Sequence, residues 1–412
     1  MKPLIFPLLA AAGAATAVIS TKPAPLTGKW EKHQLSRYFW AEGACVADVN
    51  GDGKTDVLSG PYWFQGPDFK TTHTIYPATK NFEMEGEKIP GFEGEISNKN
   101  AYSDNFLSYS GDFNADGRPD YLVIGFPGKE TFWYENPGES GNPWPRHTAL
   151  AVTDNESPML ADIDGDGRPD LLCMSNGTIG YATQDPANPT AVWKWNAITP
   201  EDKKSYQRFT HGIGHGDING DGLTDIIEAK GWLEQPADWD GKSPWKRHDA
   251  PFATKGGAQM FGYDVNADGR TDVITSLDAH GYGLAWFEQT GDGSWKRHQL
   301  IDTPDEKGST GVAFTQPHAI DLADMNGDGA MDIISGKRFW AHGPKGDAEP
   351  GEPAVLYAFL LTRKDGKATY TAEIIDDNSG IGCQVMAADV NGDGKPDVVV
   401  GNKKGCFVHF QK

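Results

Sequence analysis

The sequence is short of positive charge, of cysteine and of long apolar runs, and each shortage removes a class of function. Lys and Arg number 37 against 58 Asp and Glu, a formal net charge of -21. A surface of that sign does not grip phosphate, which argues against a nucleic-acid partner. The four cysteines, Cys45, Cys173, Cys383 and Cys406, show no CxxC spacing, which argues against a thiolate zinc site. They could pair with one another, and the spacing leaves the connectivity open. After the first 20 residues no hydrophobic run is long enough to cross a bilayer, so no membrane span is expected.

What is abundant is turn chemistry and aromatic bulk. Gly 50 and Pro 27, with recurring Asn-Gly and Asp-Gly pairs, point to many short strands rather than long helices. The 13 Trp and 19 Phe supply core-forming volume, so the acidity is not that of a disordered chain. The N-terminus reads as an export signal over residues 1–20. Lys2 is the basic start, Leu4 to Ala17 is apolar, and Ala15-Thr16-Ala17 offers small residues for cleavage. The expected location is secreted or periplasmic. No Cys lies near the cleavage point to carry a lipid.

One nine-residue pattern, D-x-[ND]-[GA]-D-G-x-x-D, recurs seven times, starting at residues 48, 112, 162, 217, 264, 324 and 389. Its period of 47 to 65 residues suits a unit of four short strands plus loops. Each box is followed by an apolar, β-branched run such as DYLVIG or DVVVG. A strand apolar on both sides is expected to be buried on both faces. A third strand is often aromatic, as in TFWYEN and LAWFEQ, and a fourth carries Trp-x-x-His, as in WPRH at 144–147 and WKRH at 245–248 and 295–298. After the seventh box only about two strands of chain remain, while WEKH at 30–33 precedes the first. The expected fold is therefore all-β: a seven-bladed β-propeller of four-stranded blades over residues 29–412, its ring closed by the N-terminal strand. An open array would leave unpaired edges.

The boxes carry the oxygen chemistry of calcium, which takes about six to eight oxygens. Positions 1, 3, 5 and 9 supply them. The candidate ligands are Asp48, Asn50, Asp52 and Asp56; Asp112, Asn114, Asp116 and Asp120; Asp162, Asp164, Asp166 and Asp170; Asp217, Asn219, Asp221 and Asp225; Asp264, Asn266, Asp268 and Asp272; Asp324, Asn326, Asp328 and Asp332; and Asp389, Asn391, Asp393 and Asp397. Carboxylates this close repel one another without a cation. A metal-free Asx-turn is the alternative for any single box, but seven boxes that keep all four oxygen positions favour several bound calcium ions.

These boxes resemble FG-GAP or VCBS-type repeats, the calcium-loop blades of integrin-like propellers, and the resemblance covers residues 29–412. It implies fold and calcium; the fold itself hosts adhesion, carbohydrate binding and catalysis alike. The blade style, with EGACVADVNGDGKTDVLSGPYWF at 42–64 and repeated WKRH strands, is also similar to the propeller domain of aldos-2-ulose dehydratases, sugar-dehydrating enzymes. That similarity implies an elimination step on a sugar; the cupin domains of those enzymes are absent from this sequence.

If the boxes occupy one face, the other face is free for a ligand. Strand one starts there and strand two ends there. The residues six before each box are Glu42, Phe106, Glu156, His211, Ala258, His318 and Cys383, and the ends of strand two add Lys230, Asp278, His280, Lys337 and Arg338. Four ionisable residues among the seven starts suggest a funnel lined for chemistry. His211, His318, Glu156, Lys337, Arg338 and His280 are the candidate catalytic residues. Tyr62, Trp63, Tyr282 and Trp340 could stack on sugar rings. His211 and His215, about 13 Å apart on a strand, are too far apart to share an ion. A second divalent metal would need ligands from different blades, such as Glu156, His211 and His318. His33, His147, His248 and His298 read as packing residues. The expected function is a lyase or dehydratase acting on a keto- or uronic-type sugar, with a monomer binding a carbohydrate or other small-molecule ligand. The alternative is a non-catalytic propeller that binds glycan or protein.

Overall fold

The computed structural model describes residues 30–78, 102–138, 143–343 and 346–412. The signal-like segment and most of the 77–100 insert lie outside these residues. Among the described residues every regular element is a β-strand. No helix is long and apolar enough to cross a membrane.

The boxes make the strands. In the first repeat, Asp48 accepts the amides of Asp52 (3.0 Å) and Gly53 (2.9 Å), and Asn50 accepts that of Asp52 (3.0 Å). Gly51 and Gly53 take φ of 71° and 81°, a left-handed region that admits glycine without strain. The chain thus reverses between the strands Cys45–Ala47 and Asp56–Ser59, which pair antiparallel. Asp56 begins the second strand fully buried. One of its oxygens accepts Val49 N at 2.9 Å and the other Gly66 N at 2.8 Å, tying the box to the end of strand three. The same first bond is made by Asp120, Asp170, Asp225, Asp272, Asp332 and Asp397. Burial pushes these carboxyls up, to about 6 at Asp56, about 7 at Asp120 and about 8 at Asp170.

Three sheets have four strands. In the first repeat, Cys45–Ala47, Asp56–Ser59, Tyr62–Gln65 and Thr71–Thr74 follow in order, and the sixth repeats this with Ile320–Ala323, Asp332–Gly336, Leu356–Lys364 and Lys367–Asp376. The seventh contributes Val385–Ala388, Asp397–Asn402 and Gly405–Phe410, and its fourth strand is the N-terminal Glu31–Ser36, with Glu31 opposite Phe410 and Ser36 opposite Cys406. The second and third repeats share a seven-stranded sheet. Its 16-residue strand Arg146–Ala161 pairs with Lys129–Tyr134 of the second repeat and with Asp170–Ser175 of the third. The fourth and fifth share an eight-stranded sheet through a parallel pairing of Ile213–Gly216 with Gln259–Tyr263. Glycine permits that approach: a Cβ at Gly214 would lie 1.7 Å from Met260 O.

The second strands are buried on both faces, as in Asp120–Ile124 and Asp170–Ser175, and they form the core between consecutive repeats. Leu122 and Trp133 of the second repeat pack with Leu171, Ala182 and Trp193 of the third. Ile334 and Ala358 of the sixth pack with Val398 and Phe407 of the seventh. Val399 and Val408 of the seventh pack in turn with Val57 and Phe64 of the first. The fourth-strand histidines belong to this packing. His73, His248 and His298 stack on Trp63, Trp232 and Trp286 with ring centroids 3.9, 4.0 and 4.0 Å apart. His147 packs on Trp133 and bonds Glu135; His248 and His298 bond Glu234 and Glu288; His33 bonds Glu31 and meets Phe410 edge-on.

All four cysteines are buried and free. A thiol reagent should find none in the native protein and four after denaturation. Fewer than four under non-reducing denaturation would reveal a disulfide.

Candidate functional site

The cluster begins at a bend in the long strand. Asn155 takes φ 80°, and its side chain accepts the amide of Ser157 at 2.8 Å. The amide of Glu156 donates to Thr210 O at 2.9 Å, which brings the segment before the fourth repeat alongside. His211 sits on that segment. Its Nδ1 donates to Phe209 O at 3.0 Å, so Nε2 carries the lone pair. His280 sits on the turn between strands two and three of the fifth repeat, and His318 precedes strand one of the sixth. The two are tied by Gln316 N donating to Gly281 O at 2.8 Å.

These four side chains converge, with one ligand atom from each within 4.8 Å of the others. His211 Nε2 lies 3.3 Å from His318 Nε2 and 3.1 Å from His280 Nε2. Glu156 Oε2 is 3.4 Å from the Nε2 of both His211 and His318. Ligands at about 2.0–2.1 Å around a tetrahedral ion stand about 3.3–3.4 Å apart, so these four separations match neighbouring ligands on one ion. Three imidazoles and one carboxylate suit a transition metal better than calcium or magnesium. Burial, with Arg338 next, holds His318 down to about 3; burial, with His318 and His211 next, holds His280 down to about 2. Both are neutral, the form that binds metal. Burial pushes the Glu156 carboxyl up, but the facing imidazoles of His211 and His318 outweigh it and hold the group far below the usual range.

A second tier of charge lies behind. Arg338 Nε donates to Glu42 Oε2 at 3.0 Å, with both side chains 1% exposed, and its Nη1 is 3.8 Å from Glu156 Oε2. Lys403 Nζ lies 3.8 Å from Glu42 Oε1 and donates to Ala341 O at 2.9 Å. Lys337 is turned elsewhere: its ammonium donates to Thr315 Oγ1, and burial pushes it down to about 8. Gln259 and Gln384 span the inner strands. Gln259 joins Cys383 O (3.0 Å) to Ile320 N (3.1 Å), and Gln384 bonds both backbone groups of Ser108 at 2.8–2.9 Å. Both line a cavity of about 200 Å³ further along these strands, where His215 sits apart from the cluster.

The open side carries His342, with its side chain 38% exposed, and Asp347. His342 Nδ1 donates to Asp347 Oδ1 at 2.7 Å, and the His342 amide to Oδ2 at 2.8 Å. Tyr102, Phe126 and Phe209 form a run of ring contacts beside it, with Phe209 39% exposed. Of the aromatics singled out in the sequence, Trp63 and Trp340 are buried in packing, while Tyr62 and Tyr282 are half-buried. Lys403 and Asp347 were missed in the sequence. Lys403 follows strand two of the seventh repeat in the register of Arg338, so extending that register reaches it. Asp347 lies in the 341–353 insert, where no register applies.

Within the boxes, Asp162, Asp164 and Asp166 place one carboxylate oxygen each within 4.8 Å of the others. Positions 1, 3 and 5 face the turn, while position 9 is held by backbone amides.

A family model described as FG-GAP-like repeat matches residues 112–173 and 264–335, and one described as FG-GAP repeat matches 384–405. No curated protein matches the chain. Similar solved structures include an Agrocybe aegerita lectin that recognises non-reducing terminal N-acetylglucosamine, with 16% identity over 92% of this chain and 85% of that one and a TM-score of 0.48. Virginiamycin B lyase from Staphylococcus aureus has 11% identity over 92% and 98%, with a TM-score of 0.48. A rhamnogalacturonan lyase has 15% identity over 89% and 60%, with a TM-score of 0.38.

Proposed function

From a chain that carries FG-GAP-type repeats, we propose an exported, monomeric, calcium-binding seven-bladed propeller that acts as a lyase or dehydratase on keto- or uronic-type sugars. The closed ring is supported by the pairing of Glu31–Ser36 with Gly405–Phe410 and by the core shared between the seventh and first repeats. Calcium is supported by the recurrence of the boxes and by the convergence of Asp162, Asp164 and Asp166 oxygens in the third.

The observation that carries the catalytic reading is the convergence of Glu156, His211, His280 and His318 from four separate repeats. An adhesion scaffold has no use for three imidazoles gathered on one buried carboxylate. These residues would hold a divalent transition metal, which supplies Lewis-acid polarisation of a sugar carbonyl or carboxylate oxygen. His211 and His318 keep Glu156 anionic, with Arg338 Nη1 3.8 Å from its Oε2. His342, its Nδ1–H committed to Asp347, has Nε2 to take the proton from the carbon next to that carbonyl. The electron pair of that C–H bond forms the conjugated C=C as the C–O bond one carbon further breaks, and His342 passes its proton on to the departing oxygen, which leaves as water or an alcohol. Tyr102, Phe126 and Phe209 offer ring faces to the sugar.

The test is incubation with keto-sugars and uronate oligosaccharides, with zinc or manganese added over calcium, following unsaturated product by absorbance. Product is expected, with His211→Ala and His318→Ala losing the transition metal and at least about a hundredfold in turnover. Glycan binding without product from any sugar would replace this reading with a non-catalytic binding propeller.

A further inference from the structure

The three imidazoles of the cluster are not held alike. Phe209 O fixes the tautomer of His211. His280 Nδ1 is buried with no hydrogen bond, and the facing acceptor is Asp347 Oδ1 at 3.5 Å. The Asp347 side chain is 4% exposed and anchored by the ring and amide of His342. Burial pushes its carboxyl up, but the bonds from His342 outweigh that and hold it below the usual range.

We infer that Asp347 is a positioning residue: its carboxylate takes the Nδ1–H of His280 and so aims His280 Nε2 at the cluster. This rests on the metal reading above. The physical reason is general: a ligating imidazole that donates its other N–H to a carboxylate is fixed in tautomer and orientation and becomes a better ligand. Unbound sites often show such contacts long, and they tighten when the site is loaded. The competing arrangement, a second ion between His280, His342 and Asp347, fits less well. His342 Nδ1 and Asp347 Oδ1 stand 2.7 Å apart, a hydrogen-bond length and shorter than the roughly 3.3 Å separation of two ligands on one tetrahedral ion. The arrangement also gives one carboxylate two duties. It accepts the His342 amide and orients a cluster residue contributed by the fifth repeat.

The experiment titrates cobalt(II) into the full chain kept in excess calcium, reading affinity and stoichiometry from the visible absorption of the bound ion, with the His280 ring-proton signal followed by NMR. Wild type should bind one equivalent. Asp347→Asn and Asp347→Ala should weaken binding ten- to a hundredfold and lose the His280 Nδ1–H signal without lowering the calcium-loaded melting temperature. Asp347→Glu should recover most of the affinity. Unchanged affinity in Asp347→Ala, beside a wild type that binds, overturns the positioning role alone. Two equivalents in wild type and one in Asp347→Ala make Asp347 a ligand of a second ion, which also overturns it. No cobalt bound by wild type overturns the metal reading and this inference with it.

Discussion

Adding EGTA to the calcium-loaded protein should lower its melting temperature by tens of degrees or leave it unfolded at room temperature. Ions that bind only the folded chain stabilise it by mass action, each about 2.7 kcal/mol at a hundredfold excess over its dissociation constant. Two to five such sites would equal the ~5–15 kcal/mol net stability of an ordinary domain, and this chain has seven boxes. The charge makes the dependence steeper. The boxes hold three Asp each, and four in the third, within a chain of net charge -21. Without cations each box confines its carboxylates against their mutual repulsion. The Asx turns survive, because their amide bonds do not need an ion, but they are left with negative charge that Arg118, Arg168 and Arg270 offset in part in the second, third and fifth boxes. Melting followed by circular dichroism, with calcium and with EGTA, decides it. Superimposable curves would leave the boxes as metal-free turns.

Arg338→Met should destabilise the folded protein by about 3–5 kcal/mol, the usual effect of leaving one partner of a buried ion pair alone. Arg338 is the cation between two buried carboxylates, bonded to Glu42 and 3.8 Å from Glu156. Lys403, at 3.8 Å from Glu42, covers only part of the deficit. Methionine fills similar volume, so a cavity does not confuse the result. Pairing it with Glu42→Gln should recover a good part of the loss, since it removes one of the stranded charges. Urea denaturation of wild type, both single variants and the double variant closes the cycle. Additive losses would mean that Arg338 acts by packing against Phe106 and not by charge.

Much of this was legible in the sequence because a repeat fixes register. Knowing that strand one starts about six residues before a box and strand two follows it was enough to put Glu156, His211, His318 and His280 on one face. The Trp-x-x-His pattern separated packing histidines from these, and each of the former now stacks or bonds as a sheet residue would. Register stops working where the chain leaves it. Asp347 lies in an insert, and its place depends on a loop with no counterpart in the other repeats. Lys337 and Arg338 looked equivalent at a strand end, yet neighbouring side chains of extended chain point to opposite sides, so only Arg338 reaches Glu156 while Lys337 meets Thr315. Nor could the period reveal how neighbouring repeats join, since that depends on Gly214 lying against Met260 and on the bend at Asn155.

Those joins matter beyond topology. Seven repeats are distributed over five sheets, two of which each hold a pair of repeats. A unit of local opening is the set of strands that must part together. The second repeat therefore cannot fray without drawing on the third, nor the fourth without the fifth, while the first, sixth and seventh each open as a single sheet. Glu156 and His211 come from the two joined pairs and are held by the most cooperative parts of the molecule. His318, Arg338 and Glu42 come from the independent sheets. The ligand cluster thus straddles the boundary between large and small cooperative units, and binding an ion there would lock their motions to one another.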